Sequence, residues 1–298
     1  MKKNILPVSC VLLLFIFSAC SNLKRNNPYD PAGTAYKGVT YKGNVSYPDG
    51  TTVTAMVYDS QGLCLAGYNA THGFCVMKME GALTDYVGST GNTPGQFMNI
   101  QDICADDTGN IYVVDNKNIV QVISTTYVMS SWTMTNVTTP VDKLFIAYFN
   151  NAIYVTSDID KKIFEYSTSG TFIDSADLSF TAYGQFTPGR VFTFNNFIFV
   201  VNSSSKNQIV KLQAGTLSQA GLYDIQDNIY DATVNSGQLE LIAAGAVYNV
   251  DENMVISLKW GNFGTGPGMV FNGGLIASDQ TTGDTYILDG QTIKRFGE

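Results

Sequence analysis

His72 is the only histidine in 298 residues. That withdraws support from two-histidine zinc sites and from nucleophiles activated by an imidazole base. It stands in Tyr68-Asn69-Ala70-Thr71-His72-Gly73, a turn composition, and reads as a solvated turn residue. The cysteines offer a sharper idea. A hairpin turning about Asn69-Ala70 sets Cys64 opposite Cys75, a pair that an oxidising compartment would join. Such a bridge adds about 2–3 kcal/mol by closing a short loop. Two small core residues in chance register is the plainer reading. Cys104 has no evident partner and reads as a core thiol.

Oxygen donors come next. Asp115, Asp158 with Asp160, Asn202 and Asp289 each follow a strongly apolar run. Gathered on one face they would form a ligand-binding rim, or a Ca²⁺ site if six to eight oxygens converged. The alternative is that each side chain caps its own turn through backbone N–H groups. Three glycine-rich stretches, 88–97, 183–190 and 260–268, bring aromatic and cationic groups beside flexible backbone. Tyr183, Arg190 and Trp260 are therefore candidate rim contacts. Phe97, Phe186 and Phe271 read instead as plugs between neighbouring units. None of these stretches has the lysine or the strand-to-helix context of a phosphate-cradling loop.

The elements that would position these groups are strands. Val, Ile, Thr, Tyr and Phe are abundant, turns of Asn, Gly, Asp and Ser recur, and no long 3.6-period stretch follows the first twenty residues. Two segments match each other: Ile100-Gln101-Asp102-Ile103 with Gly109-Asn110-Ile111-Tyr112-Val113-Val114-Asp115, and Gly274-Leu275-Ile276-Ala277 with Gly283-Asp284-Thr285-Tyr286-Ile287-Leu288-Asp289. Weaker copies place the start of the second strand at Leu63, Ile111, Ile153, Ile198, Leu239 and Thr285, spaced 41 to 48 residues apart. Such a period accommodates four short strands and their turns. Six units fill the chain, predicting an all-β, six-bladed β-propeller with four-stranded antiparallel blades over residues 39–298. The last repeat stops at its third strand, so residues 39–47 are expected to supply the missing strand and close the ring.

The residues 86–97 followed by 100–115, and again 260–296, resemble NHL repeats. They share the glycine-rich approach, the Pro94-Gly95-Gln96-Phe97 turn, the apolar strand carrying Asp102, and Gly109-Asn110-Ile111-Tyr112-Val113-Val114-Asp115. The arginine usual in the third strand is absent from Asn118-Ile119-Val120-Gln121-Val122. This resemblance implies an interaction platform for a protein, peptide or glycan. A fainter similarity, to six-bladed lactonase and esterase propellers, implies a central Ca²⁺ held by Glu, Asn and Asp. Against it stand the missing general-base histidine and the shortage of glutamate, with Glu80, Glu165, Glu240, Glu252 and Glu298 the only ones. The lone histidine also separates the chain from propeller lyases that use paired histidines.

The N-terminus gives the compartment. Lys2-Lys3, an apolar run from Ile5 to Phe17, and Ser18-Ala19 form an export signal over residues 1–19, the run being too short to span a bilayer comfortably. Phe17-Ser18-Ala19-Cys20 resembles a lipobox, which makes Cys20 the lipidated first residue of the mature chain. A plain secretory signal with an incidental Cys20 is the other reading. Ser21 in place of an Asp favours the outer membrane within the cell envelope. Residues 20–38 read as a flexible tether. The formal charge is −8, and −10 once residues 1–19 with their two lysines are gone. Such a surface disfavours nucleic acid and anionic lipid as partners. Two readings remain: a monomeric, non-enzymatic binding lipoprotein without cofactor, or a Ca²⁺-dependent hydrolase.

Overall fold

The computed structural model describes residues 39–297, apart from 81–82, 139–142, 182–183, 262, 265 and 267. The expected export signal, Cys20, the tether and Tyr183 lie outside the described residues. Among those residues there is no helix, and six four-stranded antiparallel sheets are arranged as the blades of a propeller. The innermost strands of blades 1 to 6 are Thr51–Tyr58, Ile100–Ala105, Leu144–Phe149, Pro188–Phe194, Ile229–Asn235 and Gly273–Asp279. Each contacts the next, and the sixth contacts the first. Blade 6 is completed from the other end of the chain: Thr40–Val45 pairs antiparallel with Thr292–Gly297, from Thr40 opposite Gly297 to Val45 opposite Ile293. Lys42 Nζ reaches Asp284 Oδ1 at 2.7 Å, and Arg295 also binds Asp284. Ion pairing thus reinforces the seam between the two chain ends.

Burial explains why some strands are loud in sequence and others silent. The second strand of every blade is covered on both faces by neighbouring blades, so it must be apolar on both. Ile111–Asp115 and Ala152–Ser157 are buried at every position. The fourth strands form the outer wall and carry mixed residues, as in Phe172–Asp177 and Gln219–Asp224. Turn chemistry agrees with the pairing. Asn150-Asn151 and Ser236-Gly237 have positive φ at both positions (50° and 63°, 49° and 75°), the geometry of two-residue hairpins that match strand twist. Gly88 sits at φ 90°, where an added Cβ would lie 2.3 Å from the ring of Phe97.

Six apolar clusters fill the six inter-blade gaps. One joins Cys64, Ala66 and Val76 of blade 1 to Ile103, Ile111 and Val113 of blade 2; another joins Leu65, Cys75 and Met77 of blade 1 to Leu275, Ala277 and Leu288 of blade 6. This corrects the expected Cys64–Cys75 bridge. Asn69 Oδ1 accepts the N–H groups of Thr71 and His72, which lengthens the turn to residues 70–72. The register then pairs Cys64 with Lys78 and Cys75 with Gly67. A slip of three residues, being odd, puts the two thiols on opposite faces of the blade.

Candidate functional site

In the first strand of blade 2, Gln101 bulges between Ile100 and Asp102; in blade 5, Tyr230 bulges between Ile229 and Asp231. A bulge re-aims the next side chain. In both blades that side chain is an aspartate turned toward the propeller axis. Blades 2 and 5 are opposite each other in a ring of six. Between them comes Arg190, from the bulge between Pro188 and Val191 in blade 4. Its Nη1 donates to Asp102 Oδ1, and its Nε lies 3.4 Å from Asp231 Oδ1. The remaining carboxylate oxygens accept backbone N–H groups from the adjoining blades: Ile146 N to Asp102 at 3.0 Å and Ile276 N to Asp231 at 3.1 Å. One guanidinium therefore ties three blades together across the axis, and the backbone donors of Ile146 and Ile276 extend the network to five.

The electrostatics are unbalanced. Side-chain exposure is 15% for Arg190, 4% for Asp102 and 10% for Asp231. Two carboxylates share one cation, so the cluster carries one net negative charge when both are ionised. Burial pushes the Asp231 carboxyl up to about 6; Arg190 pulls the other way, and the Asp102 charge adds to the rise. Burial likewise holds the Asp102 carboxyl above the ordinary carboxylate range, although Arg190 opposes it. Arg190 Nε is buried with no hydrogen-bond partner, its approach to Asp231 being an ion pair only.

This cluster floors an axial cavity of about 240 Å³. Its walls are the later residues of the inner strands, including Cys104, Ile146, Phe192, Ala232 and Ile276, and its rim includes Tyr58, Tyr148, Thr193, Val234 and Gln280. These residues run toward the turns between first and second strands, so the cavity opens on that face. The rim aromatics are held in place. Tyr58 stacks on Tyr286 with centroids 5.4 Å apart, and Tyr148 Oη donates to Asp107 Oδ2 at 3.0 Å. The closing strand begins at Thr40 beside Gly297, on the same face.

Four of the residues expected on a rim lie on the opposite face, where second strands end and inter-blade connections arrive. There they repeat one job. Asp115 accepts Met98 N, Asp158 accepts Lys143 N, Asn202 accepts Thr187 N and Asp289 accepts Phe271 N, at 3.1–3.2 Å. Each staples the residue leading into its own blade's first strand. Asp115 and Asp289 are further bound by Lys117 and Lys294 at 3.0 and 2.6 Å. Backbone N–H groups, and at Asp115 and Asp289 lysines as well, bind these side-chain oxygens. Trp260 is likewise no rim residue: it is 3% exposed, packs on Phe296, and donates Nε1–H to Asn249 at 2.7 Å. Phe97 and Phe186 are buried, whereas Phe271 is 49% exposed and lies against Phe263, so it plugs nothing. Arg190, expected in a loop, sits at the centre.

Asp102 and Asp231 were not singled out as site residues by the sequence reading. Their signal is a shared pattern, Ile100-Gln101-Asp102-Ile103 and Ile229-Tyr230-Asp231-Ala232, in which one acid interrupts an otherwise apolar strand at equivalent blade positions. The axial donors do not fit a Ca²⁺ centre. The two carboxylates are already bridged by a guanidinium, and among the described residues no three His, Cys, Asp or Glu side chains converge.

No family model matches this chain, and no curated protein matches its sequence. Solved structures do share its fold. A catalytically inactive virginiamycin B lyase from Staphylococcus aureus, solved with quinupristin, matches with a TM-score of 0.59 at 13% identity over 87% of this chain and 84% of that one. A structural-genomics protein of unknown function from Bacteroides thetaiotaomicron gives 0.61 at 9% identity, over 86% and 71%. The WD40 propeller domain of Doa1 gives 0.55 at 10% identity, over 88% and 97%. A lyase, a WD40 domain and a protein of unknown function on one architecture show that the likeness extends to the propeller fold and no further.

Proposed function

We propose that this chain is a lipid-anchored propeller of the cell envelope, NHL-like in its repeats, that binds a protein, peptide or glycan without transforming it. The observation that carries this reading is the axial cavity. Its floor has one surplus negative charge, its rim is aromatic and hydroxylated, and its volume suits a single side chain or sugar ring. A cationic group on the partner would balance the floor, with the Tyr58 and Tyr148 rings flanking its stem.

The cavity's chemistry favours holding over reacting. Cys104 is its only thiol among the described lining residues; burial and the neighbouring carboxylates push that thiol well above its ordinary range, away from the thiolate. The lone His72 stacks on Tyr86, 3.8 Å between centroids, in blade 1 and lies outside the cavity lining. Anchoring through Cys20 would deliver the tether to the face on which the cavity opens, placing that face toward the membrane side. A Val234→Trp variant, which fills the mouth, tests the reading in envelope extracts by cross-linking. Loss of the cross-linked partners seen with the wild type supports the cavity as the binding surface; an unchanged set refutes it.

A further inference from the structure

A second cavity, of about 440 Å³, lies between blades 5 and 6. It shares only Gln280 with the axial one. Its lining is mainly amide and hydroxyl, and neither lysine, arginine nor histidine is among the described lining residues. At its base is Glu240, 2% exposed. Thr285 Oγ1 donates to Glu240 Oε2 at 2.7 Å, and Asn235 Nδ2 lies 3.5 Å from Oε1. Several buried acids have cations: Asp59 has Lys78, Asp115 has Lys117, Asp284 has Lys42 and Arg295, whereas Glu165 and Asp279 are held by neutral donors alone. Among the described residues Glu240 likewise has none, and unlike those two it lines a cavity.

The walls are already fixed. Asn249 Oδ1 accepts from Trp260 Nε1 at 2.7 Å while its Nδ2 donates to Gln238 Oε1 at 3.0 Å. Asn235 Nδ2 donates to Gly283 O at 3.0 Å and Thr285 Oγ1 at 2.9 Å. A preorganised polar cavity with an uncompensated carboxylate restricts its ligand. An anion would meet Glu240 unshielded. A neutral polyol would satisfy the walls and leave the charge unbalanced. A divalent cation would lack the further charged oxygens it requires. An ammonium supplies three donors and the missing charge, and its bond to a carboxylate is about twice as strong as a neutral one.

We propose that this inter-blade cavity binds a small hydroxylated amine of the amino-sugar class, its ammonium on Glu240 and its hydroxyls on the surrounding amides and threonines. The proposal stands on residues of blades 5 and 6 and does not depend on the axial reading.

The test is calorimetric titration of the mature chain with glucosamine and with glucose, which differ at the amine. Glucosamine is expected to bind about tenfold more tightly or better, and Glu240→Gln to erase that preference. Gln238→Lys, at an exposed position, places an ammonium beside Glu240; it should abolish glucosamine binding and shift Tm by no more than about 1 °C. This variant decides the matter alone if Glu240→Gln does not fold. Equal binding of the two sugars, binding of neither, or a preference that survives in the variants overturns the assignment. Asp231→Asn should leave the affinity unchanged; its loss there would move the site to the axis and overturn the assignment too.

Discussion

Replacing Arg190 by Met removes the one cation that Asp102 and Asp231 share, while a side chain of similar length keeps the space filled. Both carboxylates are then left buried, 4% and 10% exposed, with no counter-charge among the described residues. Removing one partner from a buried ion pair costs about 3–5 kcal/mol. Each aspartate keeps a backbone N–H, from Ile146 and Ile276, so the expected loss is at the lower end, about 3 kcal/mol at pH 7.5. The loss must depend on pH. Acid protonates the stranded carboxylates, so near pH 5 the cost should shrink to that of a packing change, about 1 kcal/mol. Urea unfolding at the two pH values measures both. A second substitution supplies the control: adding Asp231→Asn to Arg190→Met should restore part of the loss at pH 7.5. A loss below 1 kcal/mol at pH 7.5, or an equal loss at both pH values, would refute the axial cluster as an electrostatic unit.

Asp231→Asn alone tests the same cluster from the acid side. Its folded pKa is raised to about 6 against about 3.9 unfolded, so its stabilising contribution is complete below pH 4 and is lost as pH rises through 6. The stability of the wild type relative to the variant should therefore fall by about 2 kcal/mol between pH 4 and 7, read from urea midpoints. Asp289→Ala leaves the N–H groups of Phe271 and Asn272 without their acceptor and the Lys294 ammonium with only the Met269 carbonyl, costing about 2 kcal/mol; hydrogen exchange should quicken at residues 271–273 first. Cys75 should resist alkylation at pH 8 in the folded protein, because burial pushes its thiol up to about 11. Intact mass and Tm should likewise be unmoved by reductant, whereas a fall in Tm would restore the Cys64–Cys75 bridge.

The sequence carried the architecture well because the architecture lives in its most constrained strands. Leu63, Ile111, Ile153, Ile198, Leu239 and Thr285 all fall within a residue of where a second strand begins. Those strands are buried on both faces, which allows almost only apolar residues. The closing strand was legible for a topological reason: a blade with three strands leaves one edge to be filled, and residues 39–47 were the segment still unassigned. The site was less legible because it depends on bulges. A bulge adds one residue and turns the next side chain, and nothing in the local composition near Tyr230 or Gln101 announces that step. Arg190 follows Pro188-Gly189, which reads as a loop, yet both residues lie in the first strand of blade 4. Asp115 and Asp289 misled as rim candidates since a carboxylate that caps a turn and one that meets a ligand have the same sequence appearance. The cysteine register failed by three residues because the Asn69 side chain, not the backbone alone, sets the length of that turn.

An axial cavity that takes a cationic group from a binding partner must discriminate between small ligands by charge. Calorimetric titration of the mature chain with matched tripeptides, glycyl-lysyl-glycine and glycyl-glutamyl-glycine with both ends blocked, tests it most directly. Measurable binding of the lysyl peptide alone is expected, weakened about tenfold or more by Asp231→Asn and lost in Val234→Trp. Binding of neither peptide, or of both with equal affinity, would contradict it.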